Sequence, residues 1–100
     1  MILVTGAVRF GRGELERLRQ ALAGNVEASR KESGCEAYSY AVDLAEPDLL
    51  RITEMWRDEA ALDAHMKRMP ELMAPLQGAQ IEGMSVTAYE AKFLRNVIGE

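Results

Sequence analysis

Four segments with strand-type patterning and two with helical period, in the order strand, helix, strand, strand, helix, strand, predict an α+β fold. The second and third strands are separated only by the turn-forming AEPD at 45–48, so they pair as a hairpin, while each helix spans a crossover. A βαββαβ chain of 100 residues most economically makes an antiparallel four-stranded sheet with both helices on one face, the ferredoxin-like arrangement. One domain over 1–93 and a C-terminal tail over 94–100 are expected.

ILVTGAVRF, residues 2–10, is apolar on both alternating faces, with Ile2, Val4, Val8 and Phe10 on one and Leu3 and Ala7 on the other; such a strand is covered on both sides. GRG at 11–13 breaks the run, and Glu14 and Glu16 open a helix whose positive end they complement. Leu15, Leu18, Leu22 and Val26 recur at helical spacing as its buried stripe, Arg17, Arg19 and Glu27 turn outward, and Gly34 is the expected stop. CEAYSYAVD, 35–43, alternates, placing Tyr38, Tyr40 and Val42 on one side and Cys35, Ala37, Ser39 and Ala41 on the other. In LLRITEMW the same rule sets Leu50, Ile52, Glu54 and Trp56 opposite Arg51, Thr53 and Met55. Asp58 is the expected N-cap of a second helix carrying Leu62, His65, Met66 and Met69 on one side. Pro70 ends that helix or starts a short second piece, which Pro75 interrupts and Gly78 closes. The last strand is expected from Gln80 to Phe93, with Ile81, Tyr89 and Phe93 against Met84, Val86 and Ala88.

With both helices on one face, the other face lacks a cover. The two-sided apolar character of the first strand therefore implies a homodimer, in which that open face packs sheet to sheet on a second copy. A net charge of −4 with scattered Lys and Arg argues against nucleic acid as a partner. The single cysteine, Cys35, cannot form an intrachain disulfide, so a reducing, cytoplasmic location is the default expectation. No window approaches the roughly 18 consecutive apolar residues of a membrane-spanning helix. The start, without a basic stretch or a small-residue cleavage site, reads as a strand and not a signal.

EMWRDEAALDAH, residues 54–65, holds the only tryptophan, Trp56, and the only histidine, His65, with Glu54 beside the tryptophan on its strand face. A Trp ending a strand is ordinarily core, and a lone His on an apolar stripe ordinarily finds a backbone or carboxylate partner and does nothing else. Glu54 is harder to explain that way, because a carboxylate in an apolar row needs a reason, although a strand-end Glu can reach water or an Arg. Elsewhere, GRGE is a turn, since Glu14 and Glu16 would repel phosphate. One His and one Cys make no transition-metal ligand set, and Cys35 is a small strand residue. Met66, Met69, Met73 and Met84 fill a core or line a pocket for a flat apolar ligand.

EMWRDEAALDAH also resembles the E-x-W, helix and His pattern of the antibiotic biosynthesis monooxygenase family, which includes small quinol monooxygenases, and element order and length agree over about residues 1–93. The resemblance implies a dimeric α+β barrel that oxygenates a small aromatic phenol or quinol with O₂, without metal, flavin or other cofactor. By that resemblance Trp56 flanks the substrate, His65 hydrogen-bonds to it or accepts its proton, Glu54 orients or polarises, and Tyr38, Tyr40 and Tyr89 are wall residues. The chain departs from the family pattern in two places. Many relatives have a second His soon after a Pro in this region, where Glu71 follows Pro70 here. The haem-degrading branch uses an Asn on the first strand, where Thr5 is the only uncharged hydrogen-bonding side chain. Two rival readings stand beside the enzyme: a non-catalytic dimeric module binding an apolar metabolite, and a haem-binding or haem-degrading relative using His65.

Overall fold

The computed structural model describes residues 1–99. β1 (Ile2–Phe10) is followed by two helical pieces, α1 (Glu14–Arg17) and α2 (Arg19–Arg30), then β2 (Cys35–Val42), β3 (Leu49–Trp56), α3 (Glu59–Lys67), α4 (Met69–Met73), a 3₁₀ turn at Ala74–Leu76 and β4 (Ile81–Glu90). The strands form one antiparallel sheet in the order β2-β3-β1-β4, with helices on one face, as the element order implied.

The alternation in β1 and β3 decides which side chains meet the helices. Ile2, Val4, Val8 and Phe10 are buried with Leu50, Ile52, Glu54 and Trp56, whereas Thr5, Arg9, Arg51 and Thr53 are exposed on the other face and Leu3, Ala7 and Met55 are half-buried there. Two apolar clusters result. Val8, Phe10, Leu15, Leu18, Leu22, Leu50 and Ile52 form one; Ile2, Val4, Tyr38, Trp56 and Ala61 form the other, around the end of β3. The helices stop short of β4, which is exposed along its whole length.

The structure departs from the sequence reading where neighbouring elements, not local pattern, decide. The first helix breaks at Leu18 and ends at Arg30, and its buried side runs through Leu18, Leu22, Asn25 and Ser29, with Val26 only half-buried. Gly34 is not its stop: with φ of +82° it turns the chain into β2, and a Cβ there would lie 2.6 Å from Ala61 Cβ, so glycine is what lets this turn sit against α3. A register shift between Cys35 and Ala37 pairs Cys35 with Trp56, on the helix-covered face and not with Ala37. A second shift pairs Phe10 with Ile81, which moves Ile81 to the side of Met84 and Val86 and away from Tyr89. β4 ends at Glu90, and Phe93 lies beyond it, exposed.

Asp58 caps α3 as expected, its Oδ1 accepting from Ala61 N at 2.9 Å. The buried side of that helix is Ala61 and His65 with Leu62 half-buried; Met66, expected on the same stripe, is 53% exposed because it falls one position beyond His65 and turns outward. Among the described residues no helix is long and apolar enough to cross a membrane.

Candidate functional site

β3 delivers Glu54 and Trp56 as same-face neighbours, two residues apart, to the helix-covered side of the sheet. Because Asp58 starts α3 almost at once, His65, one turn after the buried Ala61, returns over the tryptophan. Their ring centroids are 4.7 Å apart with planes tilted by 34°. Tyr38, across the β2–β3 pairing from Glu54, sets its ring edgewise to both, 5.4 Å from His65 and 6.3 Å from Trp56. Tyr40 follows on the same face, its hydroxyl 3.0 Å from that of Tyr38.

The group is sealed: exposure is 0% for Trp56, 1% for His65, 3% for Tyr38 and 7% for Glu54. Glu54 Oε1 accepts from Trp56 Nε1 at 2.9 Å, which answers why a carboxylate can lie in an apolar row. Burial pushes the Glu54 carboxyl above its ordinary range, against the opposing pull of the Trp56 N–H and of His65. Burial likewise raises Tyr38 and Tyr40, and the neighbouring Tyr40 raises Tyr38 further. Cys35 is raised by burial and by the charges of Glu32 and Glu54, which suits a packed strand residue and not a thiolate nucleophile. The result is a closely packed aromatic cluster that holds an imidazole, a carboxyl raised above its ordinary range by burial and two phenolic hydroxyls. Imidazole, carboxyl and phenol are side chains able to exchange protons.

Three polar residues here escaped the sequence reading. Glu32, in the turn after α2, places Oε2 at 2.8 Å from His65 Nδ1 and 3.4 Å from Arg68 Nη1. Asn25 and Ser29 are buried on α2, and their Nδ2 and Oγ have no hydrogen-bond partner among the described residues. The signal for those two lay in the stripe itself, since 18, 22, 25 and 29 continue its four-and-three spacing through polar positions. Glu32 carries no such signal, being 33 residues from the histidine it meets.

Of the sequence-predicted residues, Glu54, Trp56, His65, Tyr38 and Tyr40 are brought together. Met69 is half-buried at the start of α4. Met66 points outward, and Tyr89, paired with Leu3, lies on the helix-free face of the sheet, 53% exposed, so neither joins the cluster. A cleft of about 850 Å³ runs between α2 and the β2–β3 side of the sheet, walled by Leu22, Val26, Tyr40 and Leu50; it shares Tyr40 with the buried cluster but is not lined by Trp56 or His65. Among the described residues no three His, Cys, Asp or Glu side chains are grouped to hold a metal ion.

Residues 1–70 match the antibiotic biosynthesis monooxygenase family model. The crystal structure of a Deinococcus radiodurans protein, provisionally assigned as an antibiotic biosynthesis monooxygenase, superposes with a TM-score of 0.88 at 29% identity over 99% of this chain and 100% of that one. A Nitrosomonas europaea protein with the same provisional assignment has a TM-score of 0.82 over 93% of this chain and 100% of its own, and at 15% identity it shows the shared fold alone. An uncharacterized protein of Synechocystis sp. is 30% identical over 82 residues; the match covers 73% of this chain, which thus spans only 56% of that relative's length. With its residues 1–70 matched and its β3–α3 motif assembled in space, the chain belongs to the antibiotic biosynthesis monooxygenase family.

Proposed function

We propose that the chain is a homodimeric, cofactor-independent monooxygenase that oxidises a small aromatic phenol or quinol with O₂. The observation that carries this reading is the packing of Trp56, His65 and Glu54 with Tyr38 into one buried group. In a family named for monooxygenation, these are the residue types that grip an aromatic ring and take its proton. The substrate supplies the electrons. His65 removes the hydroxyl proton, the electron-rich anion reduces O₂, one oxygen atom enters the ring and the other leaves as water, so that SH₂ + O₂ → SO + H₂O. Trp56 flanks the ring, Glu54 orients it through its carboxyl, and Tyr38, Tyr40 and Met69 form the wall. Orientation and exclusion of water are the protein's main contributions.

Dimerisation is supported by the helix-free face, where Leu3, Ala7 and Met55 are already half-buried and Tyr89 is exposed. A second reading, a dimeric module that binds an apolar metabolite without turning it over, is favoured by one fact: Trp56 and His65 are fully enclosed, and the open cleft meets them only through Tyr40. Oxygen uptake by the purified protein over a panel of quinols and polycyclic phenols separates the two. The enzyme reading expects uptake that Trp56→Ala and His65→Ala abolish while both variants stay folded. Tight binding of panel members without uptake would leave the binding module.

A further inference from the structure

We infer that Glu32 is a positioning residue that sets the tautomer and ring orientation of His65, an inference whose functional weight rests on the reading of His65 as the substrate's proton acceptor. The turn carrying Glu32 is docked on α3. Gly34 lies against Ala61 so closely that a Cβ would come within 2.6 Å, and Gly34 O accepts from Arg57 N at 2.8 Å. One helical turn after Ala61 comes His65, so the dock places Glu32 over the imidazole. Oε2 is then shared between His65 Nδ1 at 2.8 Å and Arg68 Nη1 at 3.4 Å, with the His65 side chain 1% and the Glu32 side chain 10% exposed.

A carboxylate oxygen can only accept, so Nδ1 carries the hydrogen, and in the neutral ring the lone pair sits on Nε2. Glu32 is the one side chain hydrogen-bonded to the ring among the described residues. Glu54, facing the ring from β3, has Oε1 engaged by Trp56; Tyr38, from β2, meets it edge-on with its hydroxyl turned to Tyr40; Arg68 holds Glu32 from the end of α3. The carboxylate thus presents a basic nitrogen to the substrate and holds its ring 4.7 Å from Trp56.

The test reads the tautomer directly, by two-bond ¹H–¹⁵N correlation of the full-length chain labelled on its single histidine, at alkaline pH where imidazole is neutral. Wild type should show the Nδ1–H form. Glu32→Ala should shift the population towards Nε2–H and lower kcat on the order of 10- to 100-fold with KM changed less than about twofold. Glu32→Gln, whose amide oxygen can still accept, should retain the Nδ1–H form and most of kcat, and serves as the folded control. An Nε2–H ring in wild type, or an Nδ1–H ring that survives in Glu32→Ala, overturns the inference. If the tautomer follows Glu32 but no panel substrate is oxidised, the monooxygenase reading falls and the assignment of Glu32 stands.

Discussion

Gly34→Ala should destabilise the fold in two separable ways. At φ of +82° a Cβ meets its own backbone, which costs about 1–2 kcal/mol, offset by about 0.5–1 kcal/mol because alanine loses less freedom on folding than glycine. Gly13 has nearly the same φ, +81°, and no atom within 4 Å of its would-be Cβ, so Gly13→Ala reports that backbone contribution alone, about 1 kcal/mol. At Gly34 the new methyl must also displace Ala61, whose Cβ would be 2.6 Å away, and overpacking of that kind costs about 1–3 kcal/mol more. The expected total is about 2–4 kcal/mol. For a domain of this size the gap between the two variants corresponds to at least about 4 °C in Tm, measured by calorimetry or circular dichroism at one fixed protein concentration. Ala61→Gly should recover part of the loss in the Gly34→Ala background although it costs about 1 kcal/mol alone, giving a coupling of about 1–2 kcal/mol. Equal Tm values for Gly34→Ala and Gly13→Ala would refute the close approach of the Glu32 turn to α3, and with it the physical reason Glu32 reaches His65.

Burial raises the folded pKa of Glu54 above its ordinary 4.5, so its protonated form contributes stability that is fully present below 4.5 and is lost as pH rises through the raised value; Glu54→Gln should gain on wild type in urea midpoint as pH rises above 4.5, and a constant difference would contradict the burial of an ionisable carboxyl. Glu14 runs the other way. The Arg17 guanidinium and the Gln80 N–H hold its carboxyl down at about 2, so the stability it contributes is present above 4.5 and lost as pH falls through about 2, and Glu14→Gln should be less stable than wild type at neutral pH but indistinguishable from it in strong acid. Met55→Glu puts a charge at the centre of the helix-free face and should weaken self-association at least about 100-fold in sedimentation equilibrium, without loss of helix signal; an unchanged dimer would mean that copies meet elsewhere.

Much of the fold was legible because local pattern and tertiary environment agree. β1 is apolar on both faces, β3 alternates, and Asp58 and Pro70 punctuate helices where the chain needs them. Two strand residues are misassigned because their environment is set across the sheet. Alternation assigns Cys35 to the face of Ala37 and Ile81 to the face of Tyr89, but each strand slips one position against its neighbour, and a slip of one reverses a side chain's face without altering the pattern by which it was read. In the candidate site, Glu54 and Trp56 followed from period two and His65 from period 3.6. Tyr38 and Tyr40 shared a face by the same rule and were tied to the site by the family resemblance. Asn25 and Ser29 are invisible to an apolar pattern because the helix buries polar groups on its stripe, and Glu32 because its contact depends on a glycine turn touching another helix.

The measurement that tests the central claim most directly is the fate of ¹⁸O₂ in a turnover of the best phenol or quinol substrate, followed by mass spectrometry of product and water with wild type, Trp56→Ala and His65→Ala. The account predicts one labelled oxygen per product molecule and one in water, with labelling lost in both variants while their circular dichroism stays native. Unlabelled product, or label incorporated equally well without Trp56 and His65, would contradict it.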